Sequence, residues 1–530
     1  MLDSKICGGV VLDGSGERGK RADVGVSNGK IVMIGDLADV PSVLTIDAGG
    51  RVVTPGFIDL HRHADAAIFD PAYGDADLYQ GITTVGNGNC GLSVAPTALD
   101  GEAPFREAIA AYAQPITGST RGIPTDSVAA YLDALDRRKP PVNALLLAGS
   151  GTIRAAVKGY ASQTPNEEEL QRVHRLLEQS LRDGAKGVSL GLGYATDCFY
   201  TTDELIRALA PIRNTDTVLS VHLREEAMRL LPSIDEMLTV AKALRVPLQI
   251  SHLKATGKVH RGWLALKALE KIAVAREDGI DVLCDVYCYP AGSTQLMHVL
   301  PPSYLAGGTA ALTERLKTPS VRRALRDAIQ NGRDFDNYAY LLGWENIYIA
   351  AVKNPADAPL VGRSIAEAAP RDPTDFALDL LCRNDCEVTM IDFLTCEEDI
   401  ETILKSPYAY AISDATFPSG GRLHPRVYGA FATVLETYVR RRRALTLPEA
   451  IRKLSRMPAD RYGLTQKGRI EINADADICV FDPAAVRVNA TYQTPDRPAS
   501  GMDWVLVNGT IAIANGKRTE KNGGKALRRS

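Results

Sequence analysis

The sequence lacks a charge excess of either sign: 61 lysines and arginines stand against 64 aspartates and glutamates in 530 residues, a formal net charge of -3. That balance excludes a basic face for nucleic acid and an acidic interaction tail, so no nucleic-acid partner is expected. Long apolar runs are missing too. No segment approaches the roughly 18 uninterrupted apolar residues of a membrane span, and the opening MLDSKICGGVVLDG has no basic stretch followed by an apolar one. No membrane partner is expected, and the expected compartment is cytoplasmic. The nine cysteines (7, 90, 198, 284, 288, 382, 386, 396 and 479) are odd in number and scattered, which reads as reduced thiols, mostly in the core. Internal repeats and low-complexity tracts are also lacking.

What is present is length and a change of pattern. A chain of 530 residues calls for a large domain plus a smaller module. Both ends are strand-like with Gly/Asn turns, as in ADVGVSNGKIVMIGDL and WVLVNGTIAIANGK, and predict β-hairpins. Residues 1–54 and 468–530 are therefore read as one small β-sandwich. The tail KRTEKNGGKALRRS is either frayed or docked. Between the ends, eight apolar runs alternate with amphipathic helical stretches: GFIDLHRH, ITTVGNGNC, VNALLLAGS, KGVSLGLGY, VLSVHL, PLQISHLK, IDVLCDVYCY and YAYAISDA. The pattern is α/β, and eight strands predict a (β/α)8 TIM-like barrel over 55–467. An excursion at about 291–395 is too long for a plain connection and is read as an insertion over the barrel mouth.

His61 and His63 are two apart at the end of the first run, where alternation in a strand points both imidazoles the same way. Taken alone, the pair is as readily two surface histidines. Only eight histidines exist, however, and His222 and His252 also end strand runs, as do Cys90 and Asp414. Six ligand-type residues thus fall at the C-terminal ends of five strands, where a barrel of this kind places its active site. Each has a structural reading when taken singly: a histidine capping a strand, a core cysteine, an aspartate capping a helix. Together they predict a metal centre. Imidazole, thiolate and carboxylate suit Zn²⁺ better than Mg²⁺ or Ca²⁺. Such a centre polarises a carbonyl and yields hydroxide at neutral pH, with Asp414 as general base and then general acid to the leaving amine. His174, in a charged helix, is expected to be solvated, and His260 and His298, in loops, have no expected role. His424 is expected to shape the loop that presents Arg426.

With those residues assembled, PGFIDLHRH, QGITTVGNGNCGLSVAP, His222, His252, ISDA, HPRVYG and ADADICVFDP resemble the N-acyl-D-amino-acid deacylases, or D-aminoacylases, of the amidohydrolase superfamily along nearly the whole chain. GNCG discriminates, because related dihydroorotases and hydantoinases bridge their metals with a carboxylated lysine, and GVSLGLGY offers none after Lys186. The resemblance implies that Cys90, His222 and His252 hold a tight zinc, with His61, His63 and Asp414 around a weaker or empty second site. It also implies that Lys254, Arg426, Tyr194, Tyr287 and Ser293 contact a small-molecule N-acyl amino acid substrate. A guanidinium fork and an ammonium suit a free α-carboxylate, while the tyrosines equally read as rim packing.

Three departures from the family pattern are expected to border the pocket: Asp65 comes one residue late after His63, Gly149-Ser150 stands where relatives tend to have a histidine, and the segment from Asp414 to Arg426 is one residue longer than expected. They leave the preferred side chain, the acyl group and the stereochemistry open. The alternatives are a cyclic-amide hydrolase of the dihydroorotase or hydantoinase kind and, from another class, a non-catalytic barrel scaffold.

Overall fold

Eight buried parallel strands carry the eight apolar runs: Phe57–Asp59, Ile82–Asn87, Asn143–Leu146 with its continuation Ala148–Gly149, Gly187–Gly191, Val218–His222, Leu248–Ile250, Val282–Tyr287 and Ala409–Ile412. The computed structural model that shows them describes residues 1–529. Each strand pairs with the next in chain order. Such strands are buried on both faces, which is why they read as continuous apolar runs. The last is tied back to the first: Ser413 donates to Asp59 through its backbone N–H (3.0 Å) and its hydroxyl (2.5 Å), and Asp414 N–H donates to His61 O (2.9 Å). Just beyond, Arg62–His63 and Ala415–Thr416 pair in parallel. Arg62, fully buried, holds the same corner through ion pairs to Asp59 and Asp77.

Amphipathic helices connect the strands. Glu167–Arg182 begins in a capping box between Asn166 and Glu169 and buries Leu170, Val173, Leu176 and Leu177. Its acidic first turn and basic last turn complement the helix dipole.

Both termini feed a second β layer. Val10–Val11, Lys20–Arg21 and Val52–Pro55 join Ile478–Phe481, Met502–Val507, Thr510–Ala514 and Lys517–Arg518 in one seven-stranded sheet. A four-stranded sheet from the first 47 residues shares its apolar core, which joins Ile6, Val24, Ile31 and Ile46 to Val53, Ile478, Val480 and Leu506. Three hairpins turn on Asn-Gly pairs, at Asn28-Gly29, Asn508-Gly509 and Asn515-Gly516, with φ positive at both residues as a type I′ turn requires. Not every neighbour is a hairpin: Leu2–Cys7 lies parallel to Ser42–Asp47, whose separation in sequence frees it from hairpin geometry. The tail is docked, with Ala144 N–H donating to Lys525 O (3.0 Å), Leu527 N–H to Ala144 O (2.8 Å), and Arg528 paired to Asp133 and Asp136.

The excursion between the seventh and eighth strands builds its own antiparallel sheet, in which Val388–Phe393 lies between Ala291–Gln295 and Ile347–Val352. No described helix is long and apolar enough to cross a membrane.

Candidate active site

His61, His63, Cys90, His222, His252 and Asp414 all stand at or just past the C-terminal ends of their strands. Three of them leave the strand in the left-handed region: Cys90 at φ 54°, His252 at 35° and Asp414 at 53°. A side chain there costs on the order of 1–2 kcal/mol, so neighbouring groups must hold it. Asp285 holds His252: Oδ1 accepts the His252 backbone N–H and Oδ2 the Gln249 amide, each at 2.6 Å. Asn89 steadies the turn into Cys90 by donating to Gly86 O (2.9 Å) and Leu60 O (3.3 Å).

The six donors converge. Cys90 Sγ is 3.3 Å from His61 Nε2 and 3.5 Å from His252 Nε2, and His222 Nδ1 is 3.0 Å from His252 Nε2. Asp414 Oδ1 lies 3.5 Å from His61 Nε2 and 3.4 Å from His63 Nε2. Two triads, His61–His63–Cys90 and Cys90–His222–His252, share the thiol. Burial holds His61 well below the usual imidazole range and His222 down at about 3, so both rings are neutral and offer lone pairs. Burial alone would raise Asp414, but Arg426 and the histidines hold it well below the usual carboxylate range.

This donor set fits zinc. Two ligands about 2.0–2.3 Å from a tetrahedral zinc stand on the order of 3.5 Å apart, which is the spacing found around Cys90. Glu226 Oε1 and Lys254 Nζ both stand at His252 Nδ1, at 3.1 and 2.8 Å, so that nitrogen is engaged away from the cluster and Nε2 is the one that faces Cys90.

A narrow cleft lies over the cluster. Lys254, Tyr194, Tyr287 and Ser293 line it. Lys254 Nζ is 2.6 Å from Glu226 Oε1, and the Tyr194 ring packs 4.4 Å from that of His222. Arg426 is placed differently. It is fully buried behind Asp414, with Nη1 3.0 Å from Oδ2, its guanidinium 4.8 Å from the centre of the Tyr287 ring, and Nη2 donating to Ser293 O at 3.3 Å. His424 Nδ1 accepts the Arg426 backbone N–H (3.0 Å), in keeping with its expected role in that loop.

The chain matches the amidohydrolase family over residues 44–299 and 402–513. It is 32% identical to the D-aminoacylase of Alcaligenes xylosoxydans xylosoxydans over 532 residues, covering 100% of this chain and 98% of that protein. The chain is an amidohydrolase of the D-aminoacylase family. The N-acyl-D-glutamate deacylase of the same organism is 31% identical, over 100% of this chain and 97% of its own length. The N-acyl-D-glutamate deacylase from Bordetella bronchiseptica, solved with zinc and a phosphonate mimic of the tetrahedral intermediate, superposes with a TM-score of 0.80 at 30% identity, both chains covered in full.

Within this D-aminoacylase framework, the departures at Asp65, Gly149 and Ser150 lie off the cleft wall. Asp65 is buried and pushed up to about 6 by that burial, and Ser150 opens the helix Ser150–Lys158. Lys186 precedes the fourth strand and lines a separate cavity with Arg276 and Arg461. His174 bonds Arg207 O at 2.8 Å, and His298, without an expected role, lines the cleft. Sequence reasoning also missed Glu226, Asp285, Tyr338 and Asp392. Glu226 follows His222 by four residues, and that spacing was its only signal. Tyr338 and Asp392 belong to the excursion and reach the cleft only through its fold.

Proposed function

We propose that this D-aminoacylase-family chain hydrolyses the amide bond of N-acyl-D-amino acids, releasing a carboxylate and a free D-amino acid, with zinc as its metal. The observation that carries the reading is the convergence of four buried histidines on Cys90, with Asp414 at their edge and Lys254 on the wall of the same cleft. Cys90, His222 and His252 would hold the tight zinc, and His61, His63 and Asp414 surround a weaker second position. When bound, zinc supplies Lewis acidity to the acyl carbonyl and makes water nucleophilic near neutral pH. Asp414 Oδ1 takes the proton from the attacking water and hands it to the departing amine nitrogen. Arg426, against the other carboxylate oxygen, keeps Asp414 ionised for the first transfer. Lys254 holds the substrate α-carboxylate with the charge of Arg426 behind it, Tyr287 and Ser293 supply hydroxyls, and Tyr194 packs beside the acyl site.

The eight strands form, on this reading, a closed (β/α)8 barrel over 55–467, supported by their pairing in chain order and by the ties from Ser413 and Asp414 to the first strand. Residues 1–54 and 468–530 form the β-sandwich beside it, and the excursion at about 291–395 supplies part of the cleft wall. Cytoplasm is the proposed compartment, on the strength of nine free thiols.

Stripping the metal and returning zinc tests the assignment. Amine release from N-acetyl-D-amino acids should vanish on chelation and return with stoichiometric zinc. Undiminished turnover in the stripped protein contradicts it.

A further inference from the structure

The cleft contains one buried carboxylate that hydrolysis leaves without a task. Asp392, on the strand Val388–Phe393, is 1% exposed and lines the cleft, yet neither carboxylate oxygen has a hydrogen-bond partner among the described residues. Its Oδ1 and the Tyr287 hydroxyl stand 3.1 and 3.3 Å from the point a β-carbon on Gly292 would occupy, so the carboxylate reaches the wall beside Tyr287. The cations close enough to act on it are Arg426 and Lys254. Each already serves another carboxylate, Asp414 at 3.0 Å and Glu226 at 2.6 Å. A carboxylate withdrawn from water without a donor is costly, and a donor brought by the ligand removes that cost.

A second cavity continues from the cleft and shares Tyr194, His222, His298 and Tyr338 with it. Its wall carries Glu225, Asp334 and Asp336 against a single cationic side chain among the described residues, Arg224. Arg224 is taken up by both oxygens of Glu236, at 2.8 and 2.9 Å. Among the described residues Glu225 has one ion pair, at 3.5 Å with the exposed Arg229. His298, 8% exposed, stands at the border of the two cavities with Nδ1 unpartnered among the described residues. Tyr338 stands there too, within electrostatic reach of Asp392, Asp336 and Glu226. Both sides of the border thus carry carboxylates, and Asp392 has no hydrogen-bond partner of its own among the described residues.

We propose that this border receives the positively charged side chain of the substrate, an N-acyl-D-amino acid of the lysine, ornithine or arginine kind, with Asp392 as its ion-pair partner. Glu225 and Asp334 extend the attractive field into the second cavity, and the same charges repel an acidic side chain. The proposal rests on the deacylase reading and names its substrate class.

The test compares kcat/KM of the zinc-loaded protein for N-acetyl-D-lysine, its uncharged analogue N-acetyl-D-norleucine, and N-acetyl-D-glutamate, in wild type, D392N and E225Q. Wild type should favour lysine over norleucine by about tenfold or more, and over glutamate by a wider margin. D392N should lower the lysine-to-norleucine ratio about tenfold, E225Q should lower it by less, and rising salt should lower the wild-type ratio. Should D392N fail to fold, E225Q and the salt dependence decide. Norleucine or glutamate turned over faster than lysine, or a ratio indifferent to substitution and to salt, overturns the proposal and leaves the deacylase reading standing. Turnover of no N-acyl-D-amino acid overturns both.

Discussion

Arg426 and Asp414 form a buried ion pair in which one carboxylate faces two ways: Oδ2 is 3.0 Å from Arg426 Nη1, while Oδ1 is 3.5 and 3.4 Å from His61 and His63. One oxygen fixes the charge and the other is left to the cluster. Asp414 therefore stays ionised despite burial, and its free oxygen stands where a proton has to be moved.

Asp414→Asn keeps the shape and removes the base. The expected result is a kcat lowered by about 10²–10⁴-fold, with zinc still held through Cys90, His222 and His252. Turnover together with metal analysis checks this, and a variant within a few-fold of wild type removes Asp414 from its role.

Arg426→Ala leaves the Asp414 carboxylate buried without its cation. Breaking a buried pair by removing one partner costs about 3–5 kcal/mol, so urea unfolding should show a loss of that size. KM should rise as well. Arg426→Lys should lose less, because it keeps the charge and loses the fork. Unchanged stability and KM in the alanine variant contradict the pairing.

Asp285→Ala orphans the His252 backbone N–H and the Gln249 amide, each now bonded at 2.6 Å. The expected loss of stability is about 1–3 kcal/mol per orphaned donor. Zinc affinity should fall by about 10–100-fold as His252 loses its clamp. Zinc titration of the stripped variant reads the second effect, and wild-type affinity contradicts it.

Cys90→Ala removes the one donor common to both triads. Metal analysis should find zinc well below one per chain, and stoichiometric zinc in this variant contradicts the shared-thiol geometry.

Much of this arrangement was legible in the sequence, for identifiable reasons. Parallel strands buried on both faces leave unbroken apolar runs, and the ligands end those runs, so His61, His63, Cys90, His222, His252 and Asp414 could be read together. The Asn-Gly pairs announced their hairpins because φ is positive at both positions. The left-handed backbone at Cys90, His252 and Asp414 had no such announcement, since glycine does not occupy those positions and tertiary bonds such as those of Asp285 hold them. Arg426 was expected on the cleft wall and stands behind Asp414, because an ion pair between two elements is invisible to spacing. Asp392, Tyr338 and His298 reach the cleft from an excursion whose antiparallel pairing joins residues about a hundred apart, beyond the reach of local pattern.

The most direct test of the central claim is amine release by the zinc-loaded protein from paired N-acetyl-D- and N-acetyl-L-amino acids, with a hydantoin and dihydroorotate alongside. Turnover confined to the D series is the expected result. Turnover of the ring substrates or of the L series, with the D series untouched, contradicts it.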